Sequence, residues 1–549
     1  MFYKNFLKGL VLVFLLAFLV ACGGDTEEAE STDDTSSDDA TEETDAEETE
    51  DEEVADESDG GGELRVAFSA QPPVLDPQVD TAIITAEIMG HVFEQLVTTD
   101  SDYNIVPMLA ESFEQSDDGL TITFHLREGV LFHNGEEMVA EDVVASMNRW
   151  KDGPGGRGQF GDAVFEEVDE YTVDLVMEEP ISTALVAMSQ GTSSFAAVMP
   201  KEEIDNADAT SVENYIGTGP FQFEEWSQDQ HVKLTKFDDY QPLDDPADGL
   251  SGKKEALVDE VYFEFVTDPS TRVAGIQSGE YDIAHEVPYD NVEQLESDEN
   301  IDNQILPGAG SLILFMNKYE GRFFNDVKAR EGLLALIDME EMLHGAFTNE
   351  DFYTPNHNMM MPHQEELWYS DVGKDRYNIN DQELAKELFE EAGYDGETLK
   401  ILTSRDYEYQ YNAAVILQQS LEAIGVEVEL EVFDWATHLD YMADDNMYDY
   451  DMNMIWLGYK PEPAAHHFLA TGISGWTDSP ELDELTSKFV NQPTLEDAIP
   501  IYDELQDWFY TYIPAIKIGD YNRIDATRTD VDNYQYQDRM ILWNVSNNK

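Results

Sequence analysis

Beyond its twenty-second residue the 549-residue chain contains no cysteine, because Cys22 is the only one. That absence excludes disulfides, thiolate nucleophiles and cysteine metal sites from everything that follows it, so packing alone must hold the fold. Basic residues are also scarce: 29 Lys and Arg stand against 118 Asp and Glu, a formal net charge of −89. Such a surface repels phosphates, which excludes nucleic acid and anionic lipid headgroups as partners. Catalytic signatures are missing too. No G-x-S-x-G, H-E-x-x-H or Walker A stretch occurs, and none of the 11 histidines falls into a zinc-ligand spacing. Gly153, Gly155 and Gly158 have the spacing of a dinucleotide loop, but they follow a helix-like segment rather than a strand. Asp244, Asp248, Gly249 and Glu255 have calcium-loop spacing, yet Pro246 occupies the third ligand position. Paired carboxylates carry no weight in so acidic a chain. His357, Met359, Met360, Met361 and His363 form a soft-ligand cluster of the kind that suits copper or nickel, read here as a loop lining with no metal expected. No cofactor and no enzymatic activity are expected.

What the chain does have begins at its first residues. Lys4 and Lys8 precede an apolar run from Leu10 to Val20, the length of a signal-peptide core and too short to span a bilayer comfortably. The run ends in Leu19, Val20, Ala21, Cys22, Gly23 and Gly24, which resembles a bacterial lipobox. Cys22 is therefore expected to be acylated, and residues 1–22 to act as a lipoprotein signal. Residues 25 to 59 hold 20 acids and no base among Ser, Thr and Ala, too little apolar surface to fold. Residues 23–62 read as a disordered tether, with a reach of about 35 Å for about 40 residues of flexible chain. The rest keeps 98 acids against 27 bases, spread over every segment, which reads as a solvated acidic surface adapted to high external salt and a halophilic source.

From Gly60 onward there is chain enough for two or three domains. Strand-like patterns cover Glu63 to Phe68, Thr121 to Leu126, Tyr171 to Met177, His231 to Phe237 and Glu260 to Val266; helical ones cover Ala140 to Trp150 and Thr271 to Gln277, the latter opened by Asp268-Pro269-Ser270 and stopped by Gly279. Leu399 to Thr403, Glu408 to Ile424 and Val426 to Phe433 predict a βαβ unit with parallel strands. The loop Ser404 to Tyr407 then lies at the carboxyl end of the sheet, where open α/β sheets bind ligands, and it carries Arg405.

Several blocks together resemble the family 5 extracellular solute-binding proteins, the capture subunits of importers for peptides, glutathione and nickel complexes. They are Leu64 to Ala67 with Leu75-Asp76-Pro77; Ala110-Glu111-Ser112, Gly119 to Arg127, Phe132 to Gly135, Ala140 to Val143 and Asn148-Arg149; Gly217 to Phe221; Arg272 to Ile283; Ala329 to Asp338; and Trp456 to Pro463. The resemblance implies an α/β, two-lobed periplasmic-binding-protein fold of class II type, whose hinge closes a cleft and whose first lobe carries an extra subdomain. It assigns 63–96, 217–306 and 509–549 to the first lobe, 97–216 to its inserted subdomain and 307–508 to the second lobe. It implies a lipid-anchored monomer at the outer face of the cytoplasmic membrane (periplasmic if the source has an outer membrane), which passes a peptide-like solute to ABC permease and ATPase subunits. Nickel or other metal chelates, glutathione and other organic solutes are alternative cargoes; a hydrolase or a ligand sensor are the competing functions. Trp456, Tyr459 and Arg405 are the expected ligand contacts from the second lobe, and Asp80 from the first. Peptide-binding members commonly place an aspartate three residues after the block's tryptophan, to pair with the ligand's amino group; here that position is Tyr459. Asp80 and Glu462 are the candidates to replace it.

Overall fold

The computed structural model describes residues 61–549 apart from 157, 209, 443–448 and 470–476. Cys22, the apolar run before it and nearly all of the predicted tether lie outside the described residues. Among those described, no helix is long and apolar enough to cross a membrane.

Local pattern becomes structure much as the periodicities require. Thr121–Leu126 alternates half-buried and buried residues along a strand, and so does His231–Lys236 over its first four. The helix Pro269–Ser278 starts where Asp268 Oδ1 accepts the Thr271 N–H at 2.8 Å, and it stops at Gly279. Leu399–Ser404, the helix Glu408–Ala423 and Val428–Phe433 form the expected βαβ unit, its strands paired in parallel.

Eleven strands among the described residues make one sheet. Its order is Val428–Phe433, Leu399–Ser404, Met452–Leu457, Ile301–Met316, Ala515–Arg528, Ile283–Ala284, Glu63–Phe68, Glu260–Phe265, His231–Lys236 and Phe221–Ser227, with Tyr353–Thr354 paired beside Ala515–Arg528. Ile301–Met316 and Ala515–Arg528 are long and antiparallel, and they belong to both halves. At one end Thr527 and Ala526 pair with Ile283 and Ala284; at the other Ser311 to Met316 pair with Met452 to Leu457. Between these ends the ladder slips: Leu306 opposes Arg523 and Gly310 opposes Tyr521, so the backbone bulges at Pro307–Ala309. Gly308 has φ +74°, a conformation that a side chain disfavours.

Each half buries its own core. Leu64, Phe68, Phe93, Phe221 and Phe263 fill the first, which Met540, Leu542 and Val545 near the end of the chain complete. The second is larger and gathers residues such as Leu314, Leu333, Phe389, Leu417 and Phe509. A third core, with Phe124, Met147, Trp150 and Phe165, lies between a separate four-stranded sheet (Ala110–Gln115, Thr121–Leu126, Thr172–Val176, Val164–Asp169) and the helix Ala140–Asp152.

A cleft between opposed strand ends

Strand direction decides where a site can form. Ile283–Ala284 and Glu63–Phe68 are parallel to one another and antiparallel to Ala515–Arg528. Met452–Leu457 is antiparallel to Ile301–Met316, which is itself antiparallel to Ala515–Arg528. The carboxyl ends of the first-half strands therefore point toward the second half, and those of Leu399–Ser404 and Met452–Leu457 point back. Ala284 stands beside Ala526 and Leu457 is in register with Ser311 and Asp520. The gap between them is about six residues of strand, roughly 20 Å at ~3.3 Å per residue before the bulge shortens it. Loops at such ends are the ligand-binding positions of open α/β sheets.

The second half presents an aromatic wall to this gap. Trp456 stacks on Trp435 with ring centroids 6.1 Å apart at 15°, and Tyr407 stands edge-on to Trp456 at 5.6 Å and to Trp435 at 4.9 Å. Burial raises the Tyr407 hydroxyl to about 12, helped by the negative charges of Glu286 and Asp406. Gly458, two residues past Trp456, marks where the wall meets the first half: a Cβ there would make ordinary contacts, 3.5 Å from Ile83 Cδ1 and 3.7 Å from Trp456 Cζ3.

The first half presents charge. Arg523 donates to Glu87 Oε1 at 2.7 Å and lies 3.1 Å from Asp525 Oδ1, and its guanidinium covers the Tyr536 ring at 4.2 Å. His285 Nε2 lies 3.3 Å from the other Glu87 oxygen, while its ring stacks on Phe68 at 4.3 Å. Burial alone would raise the Glu87 carboxyl, but the Arg523 and His285 charges and their hydrogen bonds override it and bring the pKa down to about 2.

Farther along, the side of the molecule that carries the separate four-stranded sheet reaches the second half directly. His363 lies between Tyr103, at 4.6 Å, and Tyr459, at 5.5 Å. Its ring also covers the bulge, since a Cβ on Gly308 would be 2.5 Å from the imidazole. Burial, and then the Lys517 charge, lower the His363 pKa to about 4, so the stack holds a neutral imidazole at pH 7. Ser182 N–H donates to the Val490 carbonyl at 2.8 Å, and Gln115 Nε2 to that of Pro493 at 2.8 Å.

Of the residues singled out in the sequence, Trp456 and Tyr459 lie at these meeting surfaces. Arg405 is exposed; it donates to the Tyr411 hydroxyl at 2.8 Å and lies 4.4 Å over that ring. Asp80 is buried, with Oδ2 accepting from Thr85 Oγ1 and Oδ1 from the Ala82 N–H at 3.1 Å, so its carboxylate closes the turn into the helix Ile83–Met89. Glu462 is fully buried; it caps the turn Pro463–Ala465 through the Ala464 N–H at 2.6 Å and accepts from Gln159 Nε2 at 3.3 Å. Within the soft-ligand cluster, His357 Nε2 is 2.8 Å from the Ser370 carbonyl, and Lys517 Nζ donates to the carbonyls of Asn358 and Met360. Met360 Sδ is 3.2 Å from His466 Nε2. Among the described residues no group of three or more His, Cys, Asp or Glu is arranged to hold a metal ion. Sequence reasoning missed Tyr407 as a wall residue although it ended the loop already marked. It marked His363 only as one of a soft-ligand cluster in a loop, and it had no signal for Tyr103, Glu286 or Arg523, which meet only through pairings between distant segments.

Known proteins share this architecture. A profile for bacterial extracellular solute-binding proteins, family 5 (middle region), matches residues 104–476. A probable peptide ABC transporter periplasmic-binding protein of Sinorhizobium fredii is 30% identical over 81% of this chain and 86% of its own. The solved ABC transporter substrate-binding protein CtaP of Listeria monocytogenes superposes with a TM-score of 0.76 at 22% identity, covering 89% of this chain and all of that one. The oligopeptide-binding protein AppA of Bacillus subtilis, solved with a nonapeptide, superposes at 0.70 and 23% identity over 87% of this chain and 97% of that one. With its two-lobed α/β architecture and a profile match over more than half of its length, the chain belongs to the family 5 bacterial extracellular solute-binding proteins.

Proposed function

We propose that this chain is the capture subunit of an ABC importer, that it closes its lobes over a peptide-like solute, and that it hands the solute on without chemical change. The observation that carries the reading is the convergence of strand ends from both halves on a bulged pair of shared strands, with an aromatic wall on one side. Closure by ligand requires differential affinity for the closed state, hence contacts from both lobes, and this gap offers surfaces on both. The relatives named for peptides support the class of cargo. The lobe boundaries proposed are those expected from the sequence, with 97–216 as the inserted subdomain. Export by the signal, acylation at Cys22, an acidic tether, attachment at the outer face of the cytoplasmic membrane and a monomeric state complete the proposal. Trp456 and Tyr459 are the proposed ligand contacts of the second lobe. Arg405, Asp80 and Glu462, whose polar groups are engaged within the chain, are proposed to shape the site.

Mass spectrometry of small molecules released from the denatured, freshly purified protein tests this. Intact peptides or peptide-like compounds are expected. Turnover of added peptide in catalytic amounts would instead make the protein a hydrolase. With the recovered compound in hand, calorimetry on Trp456→Ala is expected to show affinity reduced at least tenfold, about 1.4 kcal/mol, and unchanged affinity with an intact fold would move the pocket elsewhere.

A further inference from the structure

The cations near the cleft are already satisfied. Arg523 is held by Glu87 and Asp525, Lys517 Nζ lies 2.8 Å from Asp520 Oδ1, and Arg405 is held by Tyr411. Two of the carboxylates, Asp80 and Glu462, are buried in contacts of their own. Glu286 differs from both. It sits two residues past Ala284, at the carboxyl end of a first-half strand, and its side chain is 51% exposed. Oε2 accepts from Ser69 Oγ at 2.6 Å and lies 3.8 Å from His285 Nδ1, while no described residue donates to Oε1.

Its backbone is in the left-handed region at φ 51°, uncommon for a residue with a side chain. Two contacts hold it there: Arg272 Nη2 donates to the Glu286 carbonyl at 2.9 Å, and the Glu286 N–H donates to Asp525 Oδ1 at 3.0 Å. A strained residue that its surroundings over-determine is a reason to look for a role. Desolvation by the surrounding protein works against ionisation of this half-exposed carboxyl, yet the His285 and Arg523 charges and the Ser69 hydroxyl outweigh it and hold its pKa below the ordinary value. The charge is felt across the gap, where it helps to raise the Tyr407 hydroxyl.

We infer that the Glu286 carboxylate receives a cationic group of the solute, an alkylammonium such as a peptide's amino terminus, against the Tyr407 and Trp456 rings opposite. The assignment rests on the peptide-capture reading above. An ionised carboxylate with an oxygen to spare supplies a charge-assisted hydrogen bond, and electron-rich ring faces favour the same cation.

A tryptic casein digest, half of it with its amines acetylated, tests the assignment on the full chain. Peptide retained after rapid gel filtration is measured across a concentration series for the wild type and for Glu286→Gln, with thermal melts to confirm that the variant is folded. The wild type is expected to retain unmodified peptides at least tenfold better than acetylated ones, and Glu286→Gln to lose that difference while retaining acetylated peptides as the wild type does. Equal retention of both digests by the wild type, or an undiminished preference in Glu286→Gln, overturns the assignment and leaves peptide capture standing. A variant that loses acetylated peptides equally also overturns it, because Glu286 would then be a prop. Retention of neither digest by the wild type removes the peptide reading and the assignment together.

Discussion

At the scale of single residues, the chain affords few cations and places several of them where a carboxylate is otherwise buried. Arg523 beside Glu87 is the clearest case, since removing one partner of a buried pair leaves the other's charge uncompensated, at a cost of about 3–5 kcal/mol. The folded pKa of Glu87, about 2, lies below its ordinary 4.5. The stabilisation is therefore complete above pH 4.5 and is lost as pH falls through the interval toward 2, a difference on the order of 3 kcal/mol. Glu87→Gln should melt well below the wild type at pH 7, with the gap narrowing between pH 4.5 and 2.5. A gap that is constant across that range in calorimetric melts would mean that the pair is not ionised in the folded state. None of this was legible in the sequence: among so many acids nothing marks Glu87, because its partner lies more than 400 positions away. Trp456 and Tyr459 were legible because the block that carries them also carries the family resemblance.

At the scale of elements, the candidate hinge is a slip in register. The bulge at Pro307–Ala309 interrupts the pairing of the two long strands where the lobes meet, and His363 packs onto Gly308 while stacking between Tyr103 and Tyr459. Gly308→Ala puts a Cβ into both the strained backbone angle and the imidazole. It should lower stability by about 1–3 kcal/mol and weaken retention of the purified protein's own ligand. Thermal melts with and without that ligand check this, and a variant with wild-type values in both would remove Gly308 from the hinge. The strands Glu63–Phe68 and Leu399–Ser404 and the helix after Asp268 could be read from local alternation and capping, which depend on neighbours in sequence. The bulge depends on how residues 301–316 align with 515–528, and no local pattern encodes an alignment between segments about 200 residues apart. Asp80 shows the same limit in reverse: a carboxylate near the first-lobe turn was visible, but not that Thr85 and Ala82 would consume it.

At the scale of the whole molecule, charge sets the conditions under which the fold is stable. With 98 acids against 27 bases beyond the tether, self-repulsion opposes compaction. Screening acts within about 10 Å at 0.1 M salt and about 3 Å at 1 M. The melting temperature should therefore rise between 0.1 and 2 M potassium chloride; a flat or falling profile would count against adaptation to high salt. The excess of acids itself is legible in composition without any structure. The path of the chain through its sheet was less so, and it has a consequence for how the molecule is made. Ala515–Arg528 lies at the middle of the sheet, between Ile283–Ala284 and Ile301–Met316, yet it is the last of the eleven strands to be synthesised. Until it arrives, the first-half strands have no partner joining them to the second half, and Met540, Leu542 and Val545 are still missing from the first core. A nascent chain of 500 residues is thus an incomplete sheet with an open seam, and closure of the fold is postponed until nearly the whole chain has been made.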